Sequence, residues 1–327
     1  MKTKALQFKS PGELRIVTRE LRPLGPTDVL IRTKAVGVCY GDIAMFRGLE
    51  GPLPSFGGHE AAGVVEQVGS RVSSLSVGDT VALLGQERFS EHTVADQADA
   101  VKFHSGAGDW MQWIAEPIAC CVSAVDLAAV RPDDNVAVIG CGFMGLGIIQ
   151  CLAMTPAGLV LAVAPREESL QRALAAGAHA ALRAGDRGML AGAAALARLR
   201  PMPAQYRGPD VQAGPYDVVF EASGTAGGLR EASALVRTGG TLVLVGHQRG
   251  TMAVDSTAWH MKGLRVLNAT PMASPDFRQD FVRTVGLLDR GRLKAADLVT
   301  HQAAADDAQQ LFEASADREY VKGVLRF

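Results

Sequence analysis

The sequence predicts an α/β protein in which a doubly wound parallel sheet is joined to a separate β-rich unit. Three observations predict it. The first hundred residues read as short strands broken by turn pairs. The residues from about 119 to 271 alternate strand with helix, and the chain closes on one more short strand. A chain of 327 residues also exceeds the size at which one hydrophobic core divides, so two domains are expected.

From Lys4 to Lys102, apolar runs such as Val29-Leu30-Ile31 and Gly63-Val64-Val65 are punctuated by Pro11-Gly12 and Gly78-Asp79, the pattern of a compact antiparallel, barrel-like unit. Near Ala119 the rhythm changes. Asn135 to Ile139 reads as a buried strand, followed by glycine-rich Gly140 to Gly147 and an apolar helix reaching about Met154. Leu159 to Val163 is a second strand and Glu167 to Ala176 a helix. Tyr216 to Glu221, Thr241 to Gly246 and Leu264 to Asn268 are further strands, with a helix around Leu229 to Val236. Between Arg183 and Gly214 the chain is rich in Ala, Gly and Pro, and is read as a helix over Met189 to Leu199 followed by a loop. Beyond Pro271 a helix, Phe277 to Asp289, leads to a terminal strand, Val321 to Phe327, that returns to the first unit.

Charge and composition exclude several classes. The 33 basic and 34 acidic residues are well mixed, with no basic stripe, which argues against nucleic acid and anionic membrane as partners. The start, Met1 to Ser10, lacks the apolar core of a secretory signal, and no stretch approaches the roughly 20 apolar residues of a membrane span. Five cysteines without framework spacing suit a reducing, cytoplasmic setting.

Gly140-Cys141-Gly142-Phe143-Met144-Gly145 is a GxGxxG turn placed directly after a strand and opening a helix, the context that makes it a Rossmann dinucleotide-binding fingerprint. The first glycine permits the tight turn, the second lets the main chain approach a pyrophosphate, and the third lets helix and strand pack. The helix N-terminus adds free N–H groups and partial positive charge. About 20 residues further on, NAD-preferring folds place an acid that grips the ribose 2′-hydroxyl. Here the second strand ends Val163-Ala164-Pro165-Arg166, without that acid. Arg166 suits a 2′-phosphate, so NADP(H) is favoured over NAD(H). Glu167 or Glu168 reaching the ribose, or Arg166 as a solvated surface residue, are the competing readings.

Cys39 and His59-Glu60 in the β-rich unit, and Glu116 just before the Rossmann region, supply thiolate, imidazole and carboxylate, a set that suits one catalytic zinc with an open position. Each alone has a plainer reading, as a buried thiol, a hydrogen-bonded core histidine or a helix N-terminal acid. Trp110, Met111 and Trp113 are core residues or, alternatively, a pocket wall.

With these residues in view, the chain resembles a zinc-containing member of the medium-chain dehydrogenase/reductase family. The likeness rests on Gly37-Val-Cys-Tyr-Gly-Asp42, Gly58-His-Glu-Ala-Ala-Gly63, Val77-Gly-Asp-Thr-Val81, Glu116-Pro-Ile-Ala119, the GxGxxG turn and Arg237-Thr-Gly-Gly240. It implies a GroES-like catalytic domain, residues 1–119 and 272–327, interrupted by a Rossmann domain, residues 120–271. It further implies that Cys39 and His59 are zinc ligands and that Glu60 and Glu116 enter the ligand shell or stand just behind it. Asp42 would orient the zinc-bound histidine, and Tyr40 would touch the cofactor pyrophosphate or wall the substrate. Phe143, Met144 and Gly246 would border the cofactor, and relatives suggest a homodimer or homotetramer through the Rossmann sheet edge. The Glu116-Pro117 pair resembles the polyol and sugar-alcohol branch, implying a secondary alcohol, polyol or sugar-derived carbonyl substrate.

Three departures stand out. Gly41 occupies the place of a Ser or Thr that passes the substrate proton outward, so either the proton leaves through water, Glu60, Tyr40 or Glu116, or the reaction differs from plain alcohol oxidation. No cysteine lies between Val81 and Val101, so no structural zinc is expected. The NAD-type acid is absent, as above. The competing functions are a metal-independent enone or quinone reductase of the same fold, and a non-catalytic dinucleotide-binding protein.

Overall fold

A computed structural model describes residues 1–106, 108–197, 214–247 and 250–327. The chain forms two units, Met1–Ala119 with Arg278–Phe327, and Cys120–Phe277.

The first unit is built on a long strand, Asp28–Val38. It runs as far as Val38, because Val36 and Val38 alternate into the core with Gly37 between them. Strand Glu60–Val68 runs antiparallel along one edge, with Gly37 opposite Glu60. The other edge is shared. His92–Asp96 pairs with the first half, and the tail strand Gly323–Arg326 pairs with the second, setting Gly323 opposite Val38. The sheet continues through Thr80–Leu83 to Ala100–Lys102 on one side and His301–Ala304 on the other. A smaller sheet joins Lys2–Ser10 to Glu13–Glu20 and Ser55–Phe56.

Phe8, Phe46, Phe89 and Phe312 fill the core beneath these strands. Phe312, from the short helix Ala308–Glu313, meets Phe8 edge-on at 5.5 Å and Phe46 at 5.4 Å between ring centroids. Such contacts add to the burial of the rings themselves. Phe46 ends the helix Tyr40–Phe46, so the returning tail anchors the segment that follows Cys39.

The second unit is a six-stranded, all-parallel sheet. Its order is Ala180–Arg183, Leu159–Ala164, Asn135–Ile139, Tyr216–Glu221, Val236–Leu244, Arg265–Asn268, the doubly wound 3-2-1-4-5-6 arrangement. The order reverses between Asn135–Ile139 and Tyr216–Glu221. The Ala180–Arg183 strand has no clear signal in the sequence because it is four residues long and Ala-rich, with weak strand propensity. Helix Met189–Leu196 falls within the expected Met189 to Leu199 helix; residues 198–199 and the expected loop up to 213 lie outside the described residues. Buried Lys262 donates to the carbonyls of Ser233, at 2.6 Å, and Val236, at 3.2 Å, closing the C-terminus of helix Ala226–Leu235. No described helix is long and apolar enough to cross a membrane.

Phe312→Ala is expected to lower the stability of the first unit by about 3–5 kcal/mol in denaturant-induced unfolding. A loss below about 1 kcal/mol would show that the tail is not anchored through this ring.

Candidate metal centre and cofactor turn

Cys39 caps the helix Tyr40–Phe46 with extended backbone angles. Asp42, three residues on and buried, accepts from the Cys39 N–H at 2.9 Å with Oδ2 and from the Gly58 N–H at 3.1 Å with Oδ1. One carboxylate thus ties together the two main-chain segments that carry Cys39 and His59. A Cβ at Gly57 would lie 2.7 Å from Asp42 Oδ1 and from the Phe8 ring, so glycine is required for this approach.

The Cys39 sulfur, a ring nitrogen of His59 and a carboxylate oxygen of Glu60 all lie within 4.8 Å of one another. They are the group of three or more metal-type donors found among the described residues. Glu116, in the first turn of helix Ala115–Ala128, stands next to them with Oε2 3.9 Å from His59 Nε2. Tyr40 is 51% exposed on the first helical turn. Of the predicted metal residues, the structure therefore gathers Cys39, His59 and Glu60, sets Glu116 beside them and places Asp42 behind them.

The electrostatics fit a cation. Burial works against charge on His59, yet Cys39, Glu60 and Asp42 outweigh it and push the imidazole up to about 10. A proton there answers the surplus of negative groups. Burial is also the largest influence on Asp42, raising its carboxyl despite His59 and the two N–H donors. Glu60 Oε2 is buried and has no hydrogen-bond partner among the described residues. An orphaned carboxylate oxygen beside a thiol and an imidazole is what a metal ion would satisfy.

Lys322 belongs to the same site and carries no signature in the sequence. Its ammonium donates to Glu60 Oε1 at 2.6 Å, with side chains 6% and 1% exposed. The pair forms because Glu60 and Gly323 flank the same strand end, at Gly37 and Val38. A Cβ at Gly37 would overlap Glu60 Oε2, so that glycine makes room for the carboxylate. No local motif marks a lysine before a terminal strand; only the pairing register reveals it. Trp113 and Met111 are buried, with Trp113 stacked on Phe103 at 3.5 Å, which makes them core residues. Gly41 has open space where a side chain would begin, so packing does not exclude a hydroxyl there.

In the second unit the GxGxxG glycines do three different jobs. Gly140 has φ +95°, and a Cβ on it would lie 2.6 Å from Ser223 N. Gly142 caps helix Phe143–Leu152, and a Cβ there would meet nothing within 4 Å. A Cβ on Gly145 would overlap the Gly140 carbonyl oxygen. Phe143 is buried, and burial pushes the Cys141 thiol up to about 12, so it is an inert packing group. Gly246, past the strand Val236–Leu244, packs on Gly224 so closely that a Cβ would overlap its nitrogen. Glu221 is a second residue without a sequence signature. Fully buried, it accepts from Ser223 N at 2.8 Å and Gly224 N at 3.1 Å, shaping the turn against Gly140. Ala164 ends its strand buried, and Arg166 caps helix Glu167–Ala175. Glu167 accepts from Gln171 at 2.6 Å along that helix.

Comparison with known proteins agrees with this layout. The family described as the alcohol dehydrogenase GroES-like domain matches residues 25–126, and that described as zinc-binding dehydrogenase matches residues 144–286. The chain belongs to the zinc-type medium-chain dehydrogenase/reductase family. A putative D-xylulose reductase of Rhizobium meliloti is 29% identical over 96% of this chain and 95% of its own length. L-galactonate-5-dehydrogenase of Escherichia coli is 26% identical, covering 98% and 97%. Among solved structures, an E. coli oxidoreductase/dehydrogenase of unknown specificity superposes with a TM-score of 0.86 at 23% identity, covering 100% of this chain and 99% of that one. A putative zinc-binding dehydrogenase of Sinorhizobium meliloti bound to NADP gives 0.82 at 22%, covering 100% of both. An E. coli alcohol dehydrogenase complexed with NADH gives 0.83 at 22%, covering 100% and 99%. These superpositions establish the fold. As a member of this family the chain is an oxidoreductase of the alcohol dehydrogenase type.

Asp42→Ala removes both main-chain ties and is expected to weaken zinc binding by about 10–100-fold in competition with a chelator. Unchanged affinity would mean that the ligand segments hold their positions without it.

Proposed function

We propose that this enzyme moves a hydride between NADP(H) and a secondary alcohol, polyol or sugar-derived carbonyl, with one zinc held by Cys39, His59 and Glu60. The observation that carries the reading is the convergence of those three donors within 4.8 Å, in surroundings with an excess of negative charge. Thiolate, imidazole and carboxylate together suit zinc. When bound, zinc polarises a carbonyl oxygen or lowers the pKa of an alcohol.

The chain's own groups supply the rest. A nicotinamide cofactor, when bound, would accept the carbinol hydrogen as hydride in oxidation, and the hydroxyl proton would then have to leave to solvent. Gly41 cannot carry it. Glu116 is the acid suited to this, since its side chain is 14% exposed against 1% for Glu60 and lies next to His59. Reduction runs the same path in reverse.

Support for a polyol-like substrate comes from the glutamate at 116 and from relatives named for D-xylulose and L-galactonate. Support for NADP(H) comes from Arg166, since no acid ends the Leu159–Ala164 strand and Glu167 already accepts from Gln171. The neighbours themselves include one bound to NADP and one to NADH. A homodimer or homotetramer would form through the sheet edge at Arg265–Asn268.

Protein purified without chelator is expected to hold close to one zinc per chain. Cys39→Ser should lose it together with about a thousandfold of activity, the worth of several kcal/mol of charge stabilisation. Full activity in that variant would favour a metal-independent reductase, the reading that Gly41 favours. Arg166→Ala should raise the KM for NADPH about tenfold and leave that for NADH unchanged, as loss of a charge-assisted bond implies. Equal effects on both cofactors would refute 2′-phosphate recognition.

A further inference from the structure

Lys322 is a buried cation in contact with a candidate zinc ligand, and nothing in the reaction above uses it. Its ammonium donates to Glu60 Oε1 at 2.6 Å, while Glu60 Oε2 has no partner among the described residues. Cys39 and Tyr320 also lie within its electrostatic reach. The two oxygens of one carboxylate are therefore in different situations: one is held, the other is free.

We propose that Lys322 is a positioning residue for the metal centre. It occupies Oε1 and leaves Oε2 as the single oxygen that Glu60 offers to the ion. This inference rests on the zinc reading of Cys39, His59 and Glu60. Two physical consequences follow. A fixed ammonium beside a divalent ion repels it, so Lys322 holds zinc affinity below what the donors alone would give. By engaging one oxygen it also keeps Glu60 from closing on the metal with both, and so preserves an open position for substrate. Tail strand Gly323–Arg326 sets the lysine in register, and the missing side chain of Gly37 leaves room for Oε2, the oxygen that the lysine does not hold.

The test uses the full chain and zinc alone, without substrate. Zinc dissociation constants are measured by competition with a chromophoric chelator, and the number of light-atom ligands by X-ray absorption. Lys322→Met is expected to tighten zinc binding about tenfold, as removal of a neighbouring positive charge implies, and to add one oxygen ligand. Lys322→Arg keeps the charge but takes both carboxylate oxygens in a fork, and is expected to weaken zinc about tenfold. Opposite shifts in the two variants are not produced by a residue that only supports the fold. If both variants bind zinc as the parent does, or both weaken it, the proposal is overturned. Should the methionine variant fail to fold, an unchanged constant in the arginine variant overturns it equally. A parent chain without zinc sinks the zinc reading itself, and this inference with it. A parent holding one zinc beside unresponsive variants sinks only the role of Lys322.

Discussion

The strand Asp28–Val38 is the constraint on which the candidate centre depends. Its last residues are paired on both edges, to Glu60–Val68 on one and to the tail on the other. A strand paired on both edges has little freedom to slip, because a one-residue shift would turn every core side chain outward. Cys39 follows directly, and its extended backbone starts the next helix. The thiol, the carboxylate and the lysine thus take their places from one ladder of main-chain hydrogen bonds. His59 joins through Asp42, whose carboxylate bridges the main chain at Cys39 and Gly58. Glu60 sits on the sheet itself, and Cys39 and His59 each stand one residue from a regular element.

The same unit concentrates charge where solvent is scarce. Glu60, Asp42 and Lys322 are all buried. Isolated, each would be costly; together they compensate. Removing one partner from a buried pair commonly costs about 3–5 kcal/mol.

How much of this is legible in the residues alone varies with the length scale involved. The parallel sheet is legible because GxGxxG and the alternation of strand with helix are local signals, and the structure gives Gly140 and Gly145 the steric roles their positions imply. Cys39, His59 and Glu60 are legible as residue types near strand ends. Lys322 is not, because its partner is fixed by strand pairing across most of the chain. Glu221 is hidden differently: as the last residue of an apolar strand it resembles an ordinary exposed end, whereas it folds back onto its own following amides. The family likeness implies that Asp42 addresses the histidine ring, and its two hydrogen bonds go to main chain instead. The Ala180–Arg183 strand escapes because alanine carries little β preference.

The discontinuity of the first unit has a consequence for biosynthesis. Lys322 lies 262 positions after Glu60. At about 5–20 residues per second, a ribosome needs roughly 13–50 s to bring the lysine out after the glutamate. During that interval the nascent β-rich portion lacks the tail strand along half of one edge and the cation against Glu60, so its carboxylate is uncompensated. The nucleotide-binding portion, whose strands are all contiguous in the chain, emerges whole in the meantime. Completion of the Glu60–Lys322 pair is thereby deferred to the last stretch of translation, after the nucleotide-binding portion has had its chance to fold.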